Sequence, residues 1–195
     1  MTRTILSGML MAALFLSTGC TPDDSVHQAI EQSKAQLQET GMQNAGVQSM
    51  ENDIRFAAEA ASASLLQVQL GEMALERAVS PEVKALAQRI VSDHKRIAED
   101  LKQVADQRRI VLPTEPGQDH KEIIDLVNSQ SGIAFDLAYM NQMVDLHKDL
   151  VKQYENAAEE GADINIRTFA SKQLPLLRQH RQMAESMEEK INNVR

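Results

Sequence analysis

The 195-residue chain carries 20 Lys and Arg against 28 Asp and Glu, a formal net charge of −8, with four Phe, two Tyr and no Trp. A net-negative chain this poor in aromatics lacks both the basic patches and the stacking surfaces that nucleic-acid binding needs, so no nucleic-acid partner is expected. The length suits one domain plus a leader.

The N-terminus opens with Arg3, an apolar run from Ile5 to Leu16 and then "LSTGC". The run is too short to span a bilayer and fits the apolar segment of a secretory signal. Cys20, the lone cysteine, stands where a bacterial lipoprotein signal places its cleavage and lipidation site, with Ser17 where leucine is usual three positions before it. A short buried N-terminal helix is the plainer alternative. On the lipoprotein reading, residues 1–19 are a signal peptide and acyl chains on Cys20 hold the protein on a membrane. The location is then the cell envelope, expected at the outer membrane facing the periplasm. Loss of Arg3 takes the charge from −8 to −9, with no Lys/Arg block to recruit anionic headgroups. An acylated Cys20 leaves no thiol for disulfides or thiol catalysis.

Residues 21–49 are polar; Val26, Ile30 and Leu37 support at best one weak helix, and the segment from Cys20 to residue 49 reads as a flexible tether with His27 solvated. From about residue 50 the pattern turns to helical periodicity in Ala, Leu, Glu, Gln, Met and Lys. A first long helix is predicted from Asn52 to Val79. Ser80 as N-cap and Pro81 at the first helical position open a second, reaching Arg109. "VLPTEPG" ends it, a short helix covers Asp119 to Asn128, and a third long helix runs from Ile133 to Glu160. Gly161 stops that helix, and Asp163 caps a fourth that reaches Asn192 with a kink expected at Pro175. With no strand-like alternation, residues 50–195 are expected to form an all-α antiparallel four-helix bundle with a short extra helix before the third long one.

Each long helix places one hydrogen-bonding side chain in the middle of its apolar stripe: Gln67, His94, His147 and His180. Counting from the turns sets Gln67, His94 and His147 at one depth. His180 is offset by four residues, or about 6 Å of helical rise. A buried polar group without a partner costs about 1–3 kcal/mol, so a layer of four must be satisfied by its own members, by water or by a metal. Imidazoles on helices about 8–10 Å apart can meet at the bundle axis. Three neutral histidines beside a fourth polar group suit zinc or copper. Met140, Met143, Met183 and Met187 on the same faces would suit Cu(I), although methionine serves first as core filler. A purely hydrogen-bonded His–Gln layer is the competing reading. The sequence argues against a di-iron oxidase site, since that chemistry uses paired Glu-x-x-His and the chain contains none. Asp136 reads as structural, held by the free amides of its own helix start, and His120 as a surface residue.

The stretches "LLQVQLGEMALERAVSPEVKALAQRIVSDHKRIAEDL", "GIAFDLAYMNQMVDLHKDLVKQYENAA" and "LPLLRQHRQMAE" resemble a bacterial family of predicted secreted or outer-membrane proteins, domain of unknown function 4142. The resemblance implies a ferritin-like helical fold. His94, His147 and His180 fall on the family's histidine positions, and Asp136 and Tyr139 on its "FD..Y" element. Gln67 stands where the family usually has glutamate, and a neutral amide is a poorer metal ligand than a carboxylate. The resemblance implies no established activity. Three functions are therefore weighed: an envelope lipoprotein binding a transition metal for sensing, storage or protection; a non-catalytic envelope scaffold whose polar layer fixes helix register; and, last, an enzyme using a His-bound metal as Lewis acid, for which no general base is visible.

Overall fold

Two helical hairpins make the body of the protein. The computed structural model describes residues 24–193, which contain seven helices and no strand. In chain order these are α1 (Ser25–Glu39), α2 (Asn44–Ser49), α3 (Glu51–Arg77), α4 (Pro81–Arg108), α5 (Gln118–Asn128), α6 (Ile133–Glu160) and α7 (Ile164–Asn193). The Cys20 lipidation site and the signal segment lie outside the described residues. Helix starts follow the expected chemistry. Ser80 Oγ accepts from the Val83 amide at 3.3 Å ahead of Pro81, and Asp163 accepts from the Asn165 amide at 2.7 Å. The end of α4 departs from the glycine rule, because Arg109 itself takes the left-handed conformation at φ 56°. α7 runs unbroken through Pro175.

α3 pairs with α4 and α6 with α7, and the hairpins face each other through α4–α7 and α3–α6. Two carboxylates lock them head to tail. Asp136, in the first turn of α6, accepts from the amides of Val79 and Ser80 at 3.1 and 2.8 Å. Asp53, in the first turn of α3, accepts from Ala162 and Asp163 at 3.1 and 2.7 Å. Each hairpin thus closes the other's turn, satisfying backbone donors that the helix starts leave open. The clasp makes α6 antiparallel to α3 and all four neighbours antiparallel. It also corrects the expectation for Asp136: the amides that hold it belong to the opposite hairpin rather than to its own helix. α4 and α6 lie diagonally across the axis, joined by the long crossover through α5, the connectivity of ferritin-like bundles.

The segment expected to be a flexible tether is folded from Asp24 onward. Asp24 caps α1, whose Ala29, Ile30 and Leu37 are buried and join the core together with Val47 of α2. Ser33 Oγ donates to the Ala29 carbonyl and accepts from the Val111 amide at 2.8 Å, tying α1 to the loop after α4. The few apolar residues of this segment are spaced on one stripe, and a stripe needs only a neighbouring surface to become buried. The folded unit therefore begins well before residue 50.

The core falls into two clusters with a polar layer between them. One holds Ala63, Ile97, Leu101, Leu150, Val151, Leu174 and Leu177; the other holds Leu66, Leu70, Ile90, Met140, Met143 and Ala184. On α4, α6 and α7 the residue at the boundary is His94, His147 and His180 in turn, and on α3 the boundary falls beside Gln67. Met140 and Met143 sit in the second cluster as packing residues, and Met183 and Met187 pack against it half-buried.

Candidate metal centre

The polar layer is a meeting of three imidazoles. His94, His147 and His180 are buried to 1 %, 0 % and 0 % relative exposure, and their ring centres form a near-equilateral triangle with sides of 5.5, 5.6 and 5.2 Å. The offset expected for His180 is thus taken up within the bundle. One nitrogen from each ring lies within 4.8 Å of the others. Nitrogens bound to a metal at about 2.0–2.1 Å stand roughly 3.4 Å apart. The His94 and His147 Nε2 atoms are already at 3.4 Å, so side-chain adjustments of about an ångström, with the His94 proton moved from Nε2 to Nδ1, separate the layer from a coordination shell.

Hydrogen bonds orient the rings. His147 Nδ1 lies 2.8 Å from the Met143 carbonyl, which can only accept, so Nδ1 carries the proton and Nε2 a lone pair aimed at His94. His180 Nε2 donates to Asp93 Oδ2 at 3.0 Å, which leaves Nδ1 as its free nitrogen. One nitrogen given to a carbonyl or carboxylate and the other left bare is the arrangement of metal-binding histidines. Asp93 was missed from the sequence. Its neighbour His94 occupies the apolar stripe, whereas Asp93 lies about 100° round the helix, toward α7. The adjacent "DH" pair was the available signal.

Four polar atoms of the layer remain without a hydrogen-bond partner: both amide atoms of Gln67, His94 Nδ1 and His180 Nδ1. Burial keeps the rings neutral. His94 is pushed well below its ordinary 6.5 by desolvation, then by the other two rings. Desolvation, aided by His180, takes His147 down to about 3, and it lowers His180 despite the opposing Asp93 carboxylate. Three uncharged nitrogen donors with lone pairs result, ready for a cation without prior loss of protons.

Other expectations sort differently. His120 is half-buried rather than on the surface, with Nδ1 2.6 Å from Ser62 Oγ; Ser62 also accepts from the Gly117 amide, so the pair fastens the start of α5 to α3. His27 is exposed. Tyr139 is fully buried, its hydroxyl has no partner, and desolvation raises its phenol well above 10.

The sequence matches the family described as Domain of unknown function (DUF4142) over residues 31–187. The chain belongs to the DUF4142 family. Its fold is also that of a solved structure described as CopM in the Cu(II)-bound form, at a TM-score of 0.60 and 19% identity, covering 71% of this chain and 96% of that one. No curated protein matches. Likeness at this identity extends to the helical fold.

Proposed function

We propose that this DUF4142 bundle binds one transition-metal ion, copper or zinc, at mid-bundle through His94, His147 and His180, with the Gln67 amide as a neutral fourth group. The observation that carries the reading is the convergence of three neutral, fully buried imidazoles, two of them with their outward nitrogens already committed to Met143 and Asp93. The copper in CopM, a protein of the same fold, is in keeping with it. Lipidation at Cys20 would place the domain on an envelope membrane facing the periplasm, where a buried site of this kind serves metal sensing, storage or protection.

A second reading, an envelope scaffold with a structural polar layer, draws on the hydrogen bonds that join the rings without a metal. The unpartnered atoms weigh against it. A buried group left unsatisfied costs about 1–3 kcal/mol, and a layer kept only for register would be better served by a fully bonded one. Calorimetric titration of the purified protein with Zn²⁺, and with copper in both oxidation states, decides between them, supported by elemental analysis. Saturable one-site binding that is lost in His147→Ala is expected. No saturable binding, or affinity unchanged in that variant, would leave the scaffold.

A further inference from the structure

The triad is closed to solvent, so an ion must pass between helices to reach it. Two of the four seams are hairpin interfaces. In α3–α4 the approach is so close that a Cβ on Gly71 would stand 2.5 Å from Val91 Cγ2, and α6 and α7 pack along their length. The α3–α6 seam is roofed by α5. The cavity there is lined by Asp24, Glu59, Asp119 and Asp149 and includes neither the three histidines nor Asp93. On the remaining seam, α4–α7, a surface groove is lined by Arg89, Ser92, Asp93, Arg96 and Leu176. Its floor is the carboxylate that accepts from His180.

That carboxylate is clamped. Arg96 pairs with Oδ1, Arg89 Nε lies 3.6 Å from Oδ2, and Arg89 also reaches across to Gln179 of α7 at 2.8 Å, bridging the two helices beside the groove. Both arginines are exposed to solvent, the Arg89 side chain to 45% and that of Arg96 to 74%. Their hold on Asp93 is therefore of the weak, exchangeable kind.

We propose, resting on the metal reading above, that the ion enters and leaves through the α4–α7 groove, with Asp93 as the carboxylate that receives it and passes it to His180, and with Arg89 and Arg96 as a cationic gate. A carboxylate oxygen is a competent transient ligand for copper or zinc. Once Asp93 turns toward the ion it releases the His180 Nε2–H, and rotation of the freed ring brings the lone pair on Nδ1 to the ion. Two positive guanidiniums over the only wall residue bonded to the triad repel an approaching cation and must swing away before Asp93 is free.

The test is stopped-flow uptake, using whichever of Cu⁺ and Zn²⁺ saturates the wild-type protein in titration, and release of that metal to a chromophoric chelator. Arg89→Gln and Arg96→Gln should each speed uptake by about threefold to tenfold, the range for removing one like charge a few ångströms away in a solvated groove. The double variant should be faster still and lose the acceleration by salt that screening of the gate gives the wild type. Asp93→Asn should slow uptake by about tenfold or more relative to the arginine variants, while Lys172→Gln, whose charge pairs with Asp100, should leave the rate unchanged. Uptake within twofold of wild type in the double arginine variant, or slowed instead by Asp149→Asn in the cavity beneath α5, overturns the route while leaving the site itself standing. Absence of any saturable metal overturns both, and the titration reports that separately.

Discussion

Acid should unfold the metal-free protein through its own polar layer. In the folded state burial keeps His147 down to about 3, and His94 and His180 also lie below their ordinary 6.5. An unfolded chain takes up protons on the same imidazoles near pH 6.5. Below that pH the unfolded state therefore binds more protons than the folded one, and stability falls as pH falls. The contribution is complete above about 6.5 and is lost progressively toward the folded value, at about 1.4 kcal/mol per pH unit for each neutral ring. For His147 alone the window from 6.5 to about 3 corresponds to roughly 5 kcal/mol, comparable with the lower end of a typical domain's stability of about 5–15 kcal/mol. The assay is urea unfolding followed by circular dichroism between pH 7.5 and 4.5, with chelator present, for wild type and His147→Leu. Carboxylates such as Asp53 and Asp136 are common to both proteins, so the difference isolates the ring. The wild type should lose stability more steeply, by about 1.4 kcal/mol per unit. Parallel curves across this range would mean that His147 is not held neutral by burial, and the electrostatic description of the layer would be wrong.

Further outcomes follow from other contacts. Gln67→Glu places a carboxylate in the layer: the metal-free protein should melt lower, while Zn²⁺ affinity rises about tenfold or more, and titration showing no gain would put the Gln67 amide outside the coordination sphere. Asp136→Ala strips both acceptors from the α3–α4 turn and should cost about 2–4 kcal/mol, read as a drop in melting temperature of roughly 4–15 °C; Asp53→Ala should behave alike at the other end. Gly71→Ala forces Val91 aside and should cost about 1–3 kcal/mol by denaturant titration, against a negligible effect for alanine at an exposed helical site such as Glu72.

Much of this architecture was written in local chemistry. Ser80 with Pro81, Gly161 with Asp163, and the proline-rich break after Val111 act within a few residues of themselves, so the four long helices and the short α5 were legible one at a time. The stripes bearing Gln67, His94, His147 and His180 were equally local, since a side chain's face on a helix depends only on its position within the turn. Which surfaces those stripes met was decided by packing. Residues 25–49 have too few apolar groups to form a core alone, yet they cover α3 once α3 is there. Asp136 reads as held by the start of its own helix, but the hairpin arrangement hands it to the opposite turn, as it does Asp53 at the other end. Asp93 became the partner of His180 only because α7 lies beside α4, across 87 residues of chain. A partnership between distant residues is a property of how rigid elements dock, and neighbours in sequence carry no record of it; the depth at which the three rings meet is such a property too.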